Sequence, residues 1–393
     1  MSFLEPFGDK PAIIIDIGHA YTKCGYSAEP APHAIIPTQV SQKKIFDYKN
    51  FSNSSDTLKE MLIEFFYKIY YKILNTNSKE RKVVIVESVL TPSEFRTILA
   101  DVLFNNFQAS SVLFMPSHMA STYTLGINRA LVIDIGYADC QIMPVSDGYS
   151  LTNLCNFVSL GAKEIHSHLK DMIEEYAFVT IGNEKVKFSS LANKPNLTES
   201  ILEDIKLKCC FVTSFDRAQR FNDEIKLKNL QELEFVTDCD FNLENLILQI
   251  PGYVREMAFE ILFRNEIDKE QTIPHLILET LSKCPIDLKK DFASNIVLIG
   301  GGCMLTGFKN RLVKEINCLL NSPHEKYSKI FSFNNLNYHT PPSHENYTAW
   351  LGASLFGSLE ILDNYSLHNG KYKELDRLPD WFSINLKSNM VQI

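Results

Sequence analysis

One short phrase occurs twice in this chain. Ile14-Ile15-Asp16-Ile17-Gly18 returns as Val132-Ile133-Asp134-Ile135-Gly136, the two aspartates 134 − 16 = 118 positions apart. In each copy a β-branched run reaches an Asp, a Gly stands two positions on, and an apolar and polar alternation follows, so each copy reads as strand, tight turn, strand. The interval is far longer than a solenoid repeat, so the echo predicts two related lobes, each opening on a hairpin, with the two turns facing one another. Backbone N–H groups of such turns form an anion nest, and an Asp ending the first strand can hold Mg²⁺ through its water shell.

A third segment completes the picture. "NIVLIGGGCMLTGFKNRLVKEI" from Asn295 reads as a buried strand, a turn on Gly300, Gly301 and Gly302, and an amphipathic helix with Phe308, Leu312 and Ile316 on one face. Glycines between strand and helix let a ligand approach the backbone, and the helix start offers spare N–H donors. Together the three pieces predict a nucleotide cleft between two lobes. Between them, "TLKEMLIEFFYKIYYKIL" sets Leu62, Phe65, Phe66, Ile69 and Ile73 at helical spacing, and "KVVIVES" is a short buried strand. Thr91-Pro92-Ser93-Glu94 opens the next helix with Thr91 in a cap-like place. Alternating strands and helices make the class α/β.

The bulk numbers narrow the function. A chain of 393 residues exceeds one ordinary core and suits two or more lobes. A net charge of −8 argues against nucleic acid and anionic membrane surfaces, which need clustered Lys and Arg. No apolar run approaches a membrane span, and the start "MSFLEPFGDKP" lacks the apolar run of a signal peptide. Nine cysteines without a C-x-x-C pair fit a reducing cytosol, with Cys209 and Cys210 read as small buried residues of a helix. His339 and His344 lie in a Pro-Pro loop without further metal ligands, and His166 and His168 on a helix start need no role. Tyr67 and Tyr71 are expected on the exposed face of their helix, while Trp381 and Phe382 either pack back on the first lobe or meet a partner.

These motifs resemble those of the actin superfamily, which shares its fold with sugar kinases and chaperone ATPases. "TKCGYSAEPAPHAIIPT" is similar to the segment after actin's first hairpin, "LEDIKLKCCFVTSFD" to the helix that reaches the adenosine, "IGGGCMLTGF" to the second adenosine-side turn and "AWLGASLFGSL" to the late helix closing the first lobe. The resemblance implies a two-lobed actin-like fold, duplicated ribonuclease-H-like ATPase domains around a central cleft. Residues 1–36, 58–125 and 346–393 would form the inner part of the first lobe, and 37–57 a reduced outer subdomain 2. The second lobe would comprise 126–162 with 282–345, and 163–281 as its outer subdomain.

By the same resemblance Asp16, Gly18, His19, Lys23, Asp134 and Gly136 sit at phosphates and metal, with Asp16 and Asp134 holding Mg²⁺ through water. Lys206, Gly300, Gly301 and Gly302 would line the adenosine side. The departures matter more. His19 replaces a small hydroxyl residue and Ala20 a Gly, Tyr137 stands where the family has a second metal-side carboxylate, Ser117 takes the place of the Gln that positions water, and Leu207 that of an acidic ribose contact. Phosphoryl transfer to water depends on positioning and charge neutralisation, so at most very slow ATP hydrolysis is expected. Two outcomes stay open: ATP or ADP with Mg²⁺ is retained as a structural ligand, Asp139 partly substituting for the missing acid if the strand is regular there, or His19 and Tyr137 fill an empty cleft.

The interval from Pro37 to Asp134 is 97 residues, shorter than in an actin-like chain, and the loss falls just after Val40. In the family, the loop lost there docks into the next subunit at the pointed end of a filament. A subunit that keeps one face of a heterologous interface and lacks the other is a cap. The pattern is similar to pointed-end capping actin-related subunits of dynactin. It implies as partners an actin-like filament subunit and other pointed-end subunits, dynein and cargo indirectly, and a cytoplasmic, cytoskeletal location. The alternatives are an actin-related subunit of a nuclear chromatin-remodelling complex and a slow actin-like ATPase.

Overall fold

The computed structural model describes residues 10–50, 54–181, 184–227, 234–243, 246–264, 271–323, 326–333, 335–375 and 377–383, with backbone only at 181 and 222–227. Two mixed sheets organise it, and they share one pairing scheme. In the first, Ser111–Pro116, Lys82–Glu87 and Ile13–Ile17 run parallel, then Tyr21–Tyr26 and Ala34–Pro37 add antiparallel. In the second, Tyr338–His339, Ile296–Ile299 and Arg129–Ile135 run parallel, then Cys140–Ser146 and Asn156–Val158 add antiparallel. The echo read from the sequence is thus a duplicated fold unit, and the two-lobed α/β architecture follows from it.

The second sheet divides two cores. Ala130 and Val132 belong to the first lobe's apolar cluster, whereas Leu131, Ile133 and Ile135 belong to the second's. A strand buried on both faces reads as a continuous apolar run rather than an alternation, which is why "ALVIDI" carries no polar residue before Asp134. An outer four-stranded sheet, in the order Glu184–Lys187, Phe178–Ile181, Leu246–Ile250, Cys239–Leu243, contributes Val179, Leu243, Leu248 and Ile250 to the second lobe's core.

Two closely packed helices close the first lobe's core. Thr348–Gly357 crosses Ser117–Tyr123 so closely that a Cβ on Gly352 would lie 1.8 Å from the Ala120 carbonyl oxygen. Trp350, fully buried, anchors the same helix by donating from Nε1 to the Ile14 carbonyl at 3.1 Å.

Several local expectations hold and some need correction. Leu62, Phe65, Phe66 and Ile69 are fully buried on the helix Ser54–Tyr67 and its π-helical extension Lys68–Ile73, while Tyr67 and Tyr71 are exposed with ring centroids 4.9 Å apart. Thr91 is not a cap: the helix Ser93–Asp101 has Pro92 at that position, with no side-chain cap. A proline in extended conformation leads into the helix, so the stop in the preceding chain replaces the side-chain signal. Trp381 and Phe382 pack back on the first lobe; Trp381 is 1% exposed, donates to the Tyr365 carbonyl at 2.9 Å and lies 5.3 Å from the Phe114 ring. Burying one such side chain contributes about 1.5–3 kcal/mol.

The segment after Pro37 forms a short cover on the first lobe. Gln39–Val40 and Lys43–Lys44 pair as a ribbon, and a 3-10 turn over Ile45–Asn50 buries Ile45 and Tyr48 in the first-lobe core. Residues 51–53 of the same predicted unit lie outside the described residues.

Candidate nucleotide cleft

The two hairpin turns are built alike. Gly18 N–H donates to the Tyr21 carbonyl at 3.1 Å, and Gly136 N–H to the Asp139 carbonyl at 2.9 Å. Across each hairpin the partner of the repeated Asp differs: Lys23 faces Asp16, whereas Gln141 faces Asp134. Lys23 Nζ pairs with Asp16 Oδ2 at 2.8 Å. Gln141 donates from Nε2 to Asp139 Oδ1 at 2.7 Å and to Ser88 Oγ of the first lobe at 2.8 Å.

Between the turns lies a cavity of about 380 Å³. Its walls include Asp16, Gly18, His19, Lys23, Ser117, Asp134, Gly136, Tyr137, Lys206, Leu207 and Gly300 to Gly302, so every site residue anticipated from the sequence is brought to one place. That volume falls in the range of small-molecule and cofactor sites. Gly300 adopts φ +91°, and a Cβ there would lie 2.6 Å from Asp134 Oδ1 and 2.4 Å from the Ile135 carbonyl oxygen, so only Gly passes this close to the hairpin. A Cβ on Gly301 would meet nothing within 4 Å, which leaves that stretch of backbone open.

The helix after the glycines does not supply the donors expected of it. A 3-10 turn over Gly301–Met304 intervenes, and the helix Phe308–Asn321 begins beyond the cavity wall, with Gly307 at its N-cap. Phe308, Leu312 and Ile316 are fully buried on one face as read.

Electrostatics favour a cation, and a phosphate-bearing guest only in company with one. Burial first, then the nearby carboxylates Asp16 and Asp139, push Asp134 up to about 7 against the opposing pull of Lys23. Three carboxylates gathered at one cleft are what a Mg²⁺–nucleotide complex would neutralise, so Asp16, Asp134 and Asp139 fit that group through the ion's water shell rather than as a cluster of direct ligands. Asp139 belongs to the turn and not to a regular strand, since the strands end at Ile135 and resume at Cys140. It lines the cavity, and its route there is the turn's curvature rather than the strand alternation.

His19 and Tyr137 occupy equivalent turn positions, and one segment of the ribbon and its 3-10 turn engages both. Phe46 stacks on His19 with ring centroids 4.1 Å apart. Lys44 Nζ donates to Tyr137 Oη at 2.9 Å and pairs with Glu199, while Tyr137 Oη donates to Glu199 Oε1 at 2.7 Å. Lys44 lies in the first lobe's cover and Glu199 begins the helix Glu199–Cys209 of the second. The trio is therefore a strap between lobes. Burial holds His19 below its ordinary value despite Asp139 and Asp47, so its ring is neutral at pH 7 and retains one N–H to donate.

On the far wall Lys206 is buried and pairs with Glu203 at 2.6 Å; His166 Nε2 lies 2.9 Å from the same carboxylate. Burial raises the Glu203 value, but His166 and Lys206 outweigh it and hold the carboxyl down to about 2. His166 thus stands behind the cleft wall, touching Glu203 without lining the cavity itself. Leu207 is 63% exposed at the rim, and Glu203, one turn earlier on the same helix, presents the carboxylate that Leu207 does not. Helical spacing of three from Lys206 was the signal for Glu203; for Gln141 it was the seven-residue step that takes Asp16 to Lys23 and Asp134 to Gln141. Ser117 lines the cavity with Oγ 3.3 Å from His118 Nδ1, and Leu207 and Ser117 bring no carboxylate or amide to it. His339 binds Asn295 Oδ1 at 2.7 Å, and no cluster of three or more metal-ligating side chains exists among the described residues.

Beneath the cavity, burial pushes Glu87 up to about 7 although Arg96 pairs with it at 2.8 Å, and its Oε1 has no hydrogen-bond partner among the described residues. The folded state therefore binds this proton more tightly than the unfolded chain. Relative to Glu87→Gln, the stability of the native protein should fall as pH rises from about 4.5 to about 7 and level off above. Urea midpoints of both proteins across that window check it; parallel curves would remove Glu87 as the cause.

Comparison with known proteins adds the context. Residues 57–377 match a model of the family described as Actin. Actin-related protein 10 from Dictyostelium discoideum is 29% identical, over 98% of this chain and 92% of its own length. Actin-like protein 7A from Bos taurus is 23% identical and that from Homo sapiens 24%, each over 92% of this chain and 81% of its own length. No helix among the described residues is long and apolar enough to cross a membrane.

Proposed function

The chain belongs to the actin family, and from that premise we propose that it caps the pointed end of an actin-like filament, that of dynactin, without turning over nucleotide. It would scaffold the neighbouring pointed-end subunits and so support dynein-driven transport in the cytoplasm. The likeness to Actin-related protein 10 supports an actin-related subunit over an enzyme of the wider fold.

The observation that carries the proposal is the fate of the segment after Val40. Its ribbon and 3-10 turn pack down on the first lobe, with Ile45 and Tyr48 buried, where an outer subdomain would offer a loop to the next subunit. A filament grows only if each subunit offers both faces of a heterologous contact. With one face withdrawn, the subunit that docks last ends the series, and the mechanism is steric occlusion.

Hydrolysis is absent from this reading because its parts are. Tyr137 is engaged by Lys44 and Glu199 and brings no carboxylate to the cavity, and Ser117 is too short to position water as a Gln would. ATP or ADP with Mg²⁺ fits as a structural ligand, held by Asp16, Asp134, Lys23 and the turn amides, with Glu203 and Lys206 on the ribose and base side.

Added to actin-like filaments whose barbed ends are blocked, the protein with its pointed-end partners should stop pointed-end growth. Continued growth at saturating protein overturns the proposal. Protein purified without added nucleotide, then denatured and run on an ion-exchange column, should release ATP or ADP, and steady-state phosphate release should stay at buffer background. No nucleotide peak would leave His19 and Tyr137 as the fillers of an empty cleft; turnover well above background would make the chain an enzyme.

A further inference from the structure

The helix that walls the cleft with Glu203 and Lys206 ends on Cys209, and Cys239 opens the outer-sheet strand Cys239–Leu243. Their sulfurs lie 3.6 Å apart, Cys239 Sγ toward Cys209 Sγ. Arg255 holds the two segments in this relation. Its Nε donates to the Cys209 carbonyl at 2.7 Å and its Nη1 to the carbonyl of Thr237, two residues before Cys239. One guanidinium therefore fixes both backbones that carry the thiols, and its planar fork does so with little freedom left. Arg255 and Lys208 also place positive charge beside the pair, partly opposing the burial that holds the Cys209 thiol up.

We propose that Cys209 and Cys239 form a reversible disulfide, a modification site that ties the cleft helix to the outer sheet. The sulfurs need to approach by roughly 1.5 Å to reach bonding distance. Cys239 is half-buried and meets the oxidant first, whereas Cys209 is 4% exposed. Burial, and then the contact with Cys239, push the Cys209 thiol up to about 12, which assigns it the second step. With glutathione disulfide as oxidant, Cys239 sulfur attacks one glutathione sulfur and expels a glutathione thiolate, which takes the Cys239 proton. Cys209 sulfur then attacks the Cys239 sulfur of the mixed disulfide, expelling the second glutathione, which takes the Cys209 proton. Two thiols lose two electrons and two protons, and one glutathione disulfide becomes two glutathiones. Reduced glutathione runs the sequence backward.

The consequence lies in the cleft wall. Glu199, Glu203 and Lys206 ride on the helix whose last residue becomes covalently fixed, so oxidation restrains the wall without adding a group to the cavity. The bond closes a loop between positions 209 and 239 and restricts the unfolded chain, so it also stabilises the fold.

The test uses the full chain and glutathione disulfide itself. After incubation, blocking of free thiols and proteolysis without reductant, mass spectrometry should find the Cys209 and Cys239 peptides joined with the loss of two hydrogens. Dithiothreitol should reverse the joining. Amides of Glu199–Cys209 should exchange more slowly in the oxidised protein, and its unfolding midpoint should rise by several degrees. Cys239→Ser should abolish both effects. A persistent mixed disulfide on Cys239, a Cys209 to Cys210 bond, or two unreacted thiols in the native chain would each overturn the proposal, and this mapping stands even if the variant does not fold.

Discussion

Arg311→Met is expected to cost the fold about 3–5 kcal/mol, the largest loss that one side chain here should cause. Arg311 is 1% exposed and its donors are shared among three acceptors. Nη1 and Nη2 make a forked pair with Glu260 at 2.8 and 2.9 Å, Nη1 also reaches the Thr213 carbonyl at 2.8 Å, and Nε reaches Glu315 at 2.7 Å. Its guanidinium also sits 4.6 Å from the Phe263 ring centroid. Truncation leaves Glu260, itself 5% exposed, with Arg264 at 3.4 Å as its ion-pair partner. A buried carboxylate stripped of its main partner costs more than the pair ever contributed. The double variant Glu260→Leu with Arg311→Met should therefore recover most of the loss. Urea unfolding of the native, single and double variants checks both statements; a single variant within about 1 kcal/mol of native would mean that water solvates Glu260 after all.

Opening the strap should have the next largest effect. Lys44 and Glu199 are 30% and 50% exposed, so their ion pair alone is worth about 0.2–1 kcal/mol, and the two hydrogen bonds of Tyr137 add about 0.5–1.5 kcal/mol each at most. The sum makes a latch that opens and recloses rather than a permanent clasp. Lys44→Ala removes two of its three contacts, and bound nucleotide should then leave about tenfold faster, in line with the loss of about 1.4 kcal/mol. Hydrogen exchange supplies a readout that needs no nucleotide: amides of 39–44 should lose protection in Lys44→Ala and Glu199→Gln alike. Unchanged exchange in both would show that the ribbon is held by Ile45 and Tyr48 alone.

The fold was legible wherever local pattern decides it. Burial on both faces writes itself as Ile13-Ile14-Ile15 and Ala130 to Ile133, and close backbone approach as Gly300 beside Asp134. The cleft's composition followed, because the two Asp-bearing turns and the glycine turn each carry their own signature. What was not legible is what side chains do across long separations. Lys44 and Tyr137 are 93 positions apart, and nothing in "SQKKIFDYKN" marks Lys44 or Phe46 as the partners of two turn rings. Glu203 and Gln141 lay within reach of spacing arguments, but Leu207 and Tyr137, as departures, drew attention to what was lost rather than to what stood one turn or one strand step away. Trp381 was undecided for a similar reason: an aromatic residue at the end of a chain says that it must be covered, and only the groove beside Phe114 and Tyr365 says by what.

The joint between the lobes has a mechanical consequence. Two bodies that meet only where Ala130 and Val132 of the second sheet enter the first lobe's core could swing about that contact. Here they are fastened a second time through Lys44, Tyr137 and Glu199, and a third through Ser88 and Gln141. A piece attached at several separated points resists torsion and shear far better than one attached at a single pivot, even when each added link is weak. Under load such a molecule should deform little, and its softest element should be the polar strap, which yields first and re-forms when the load relaxes.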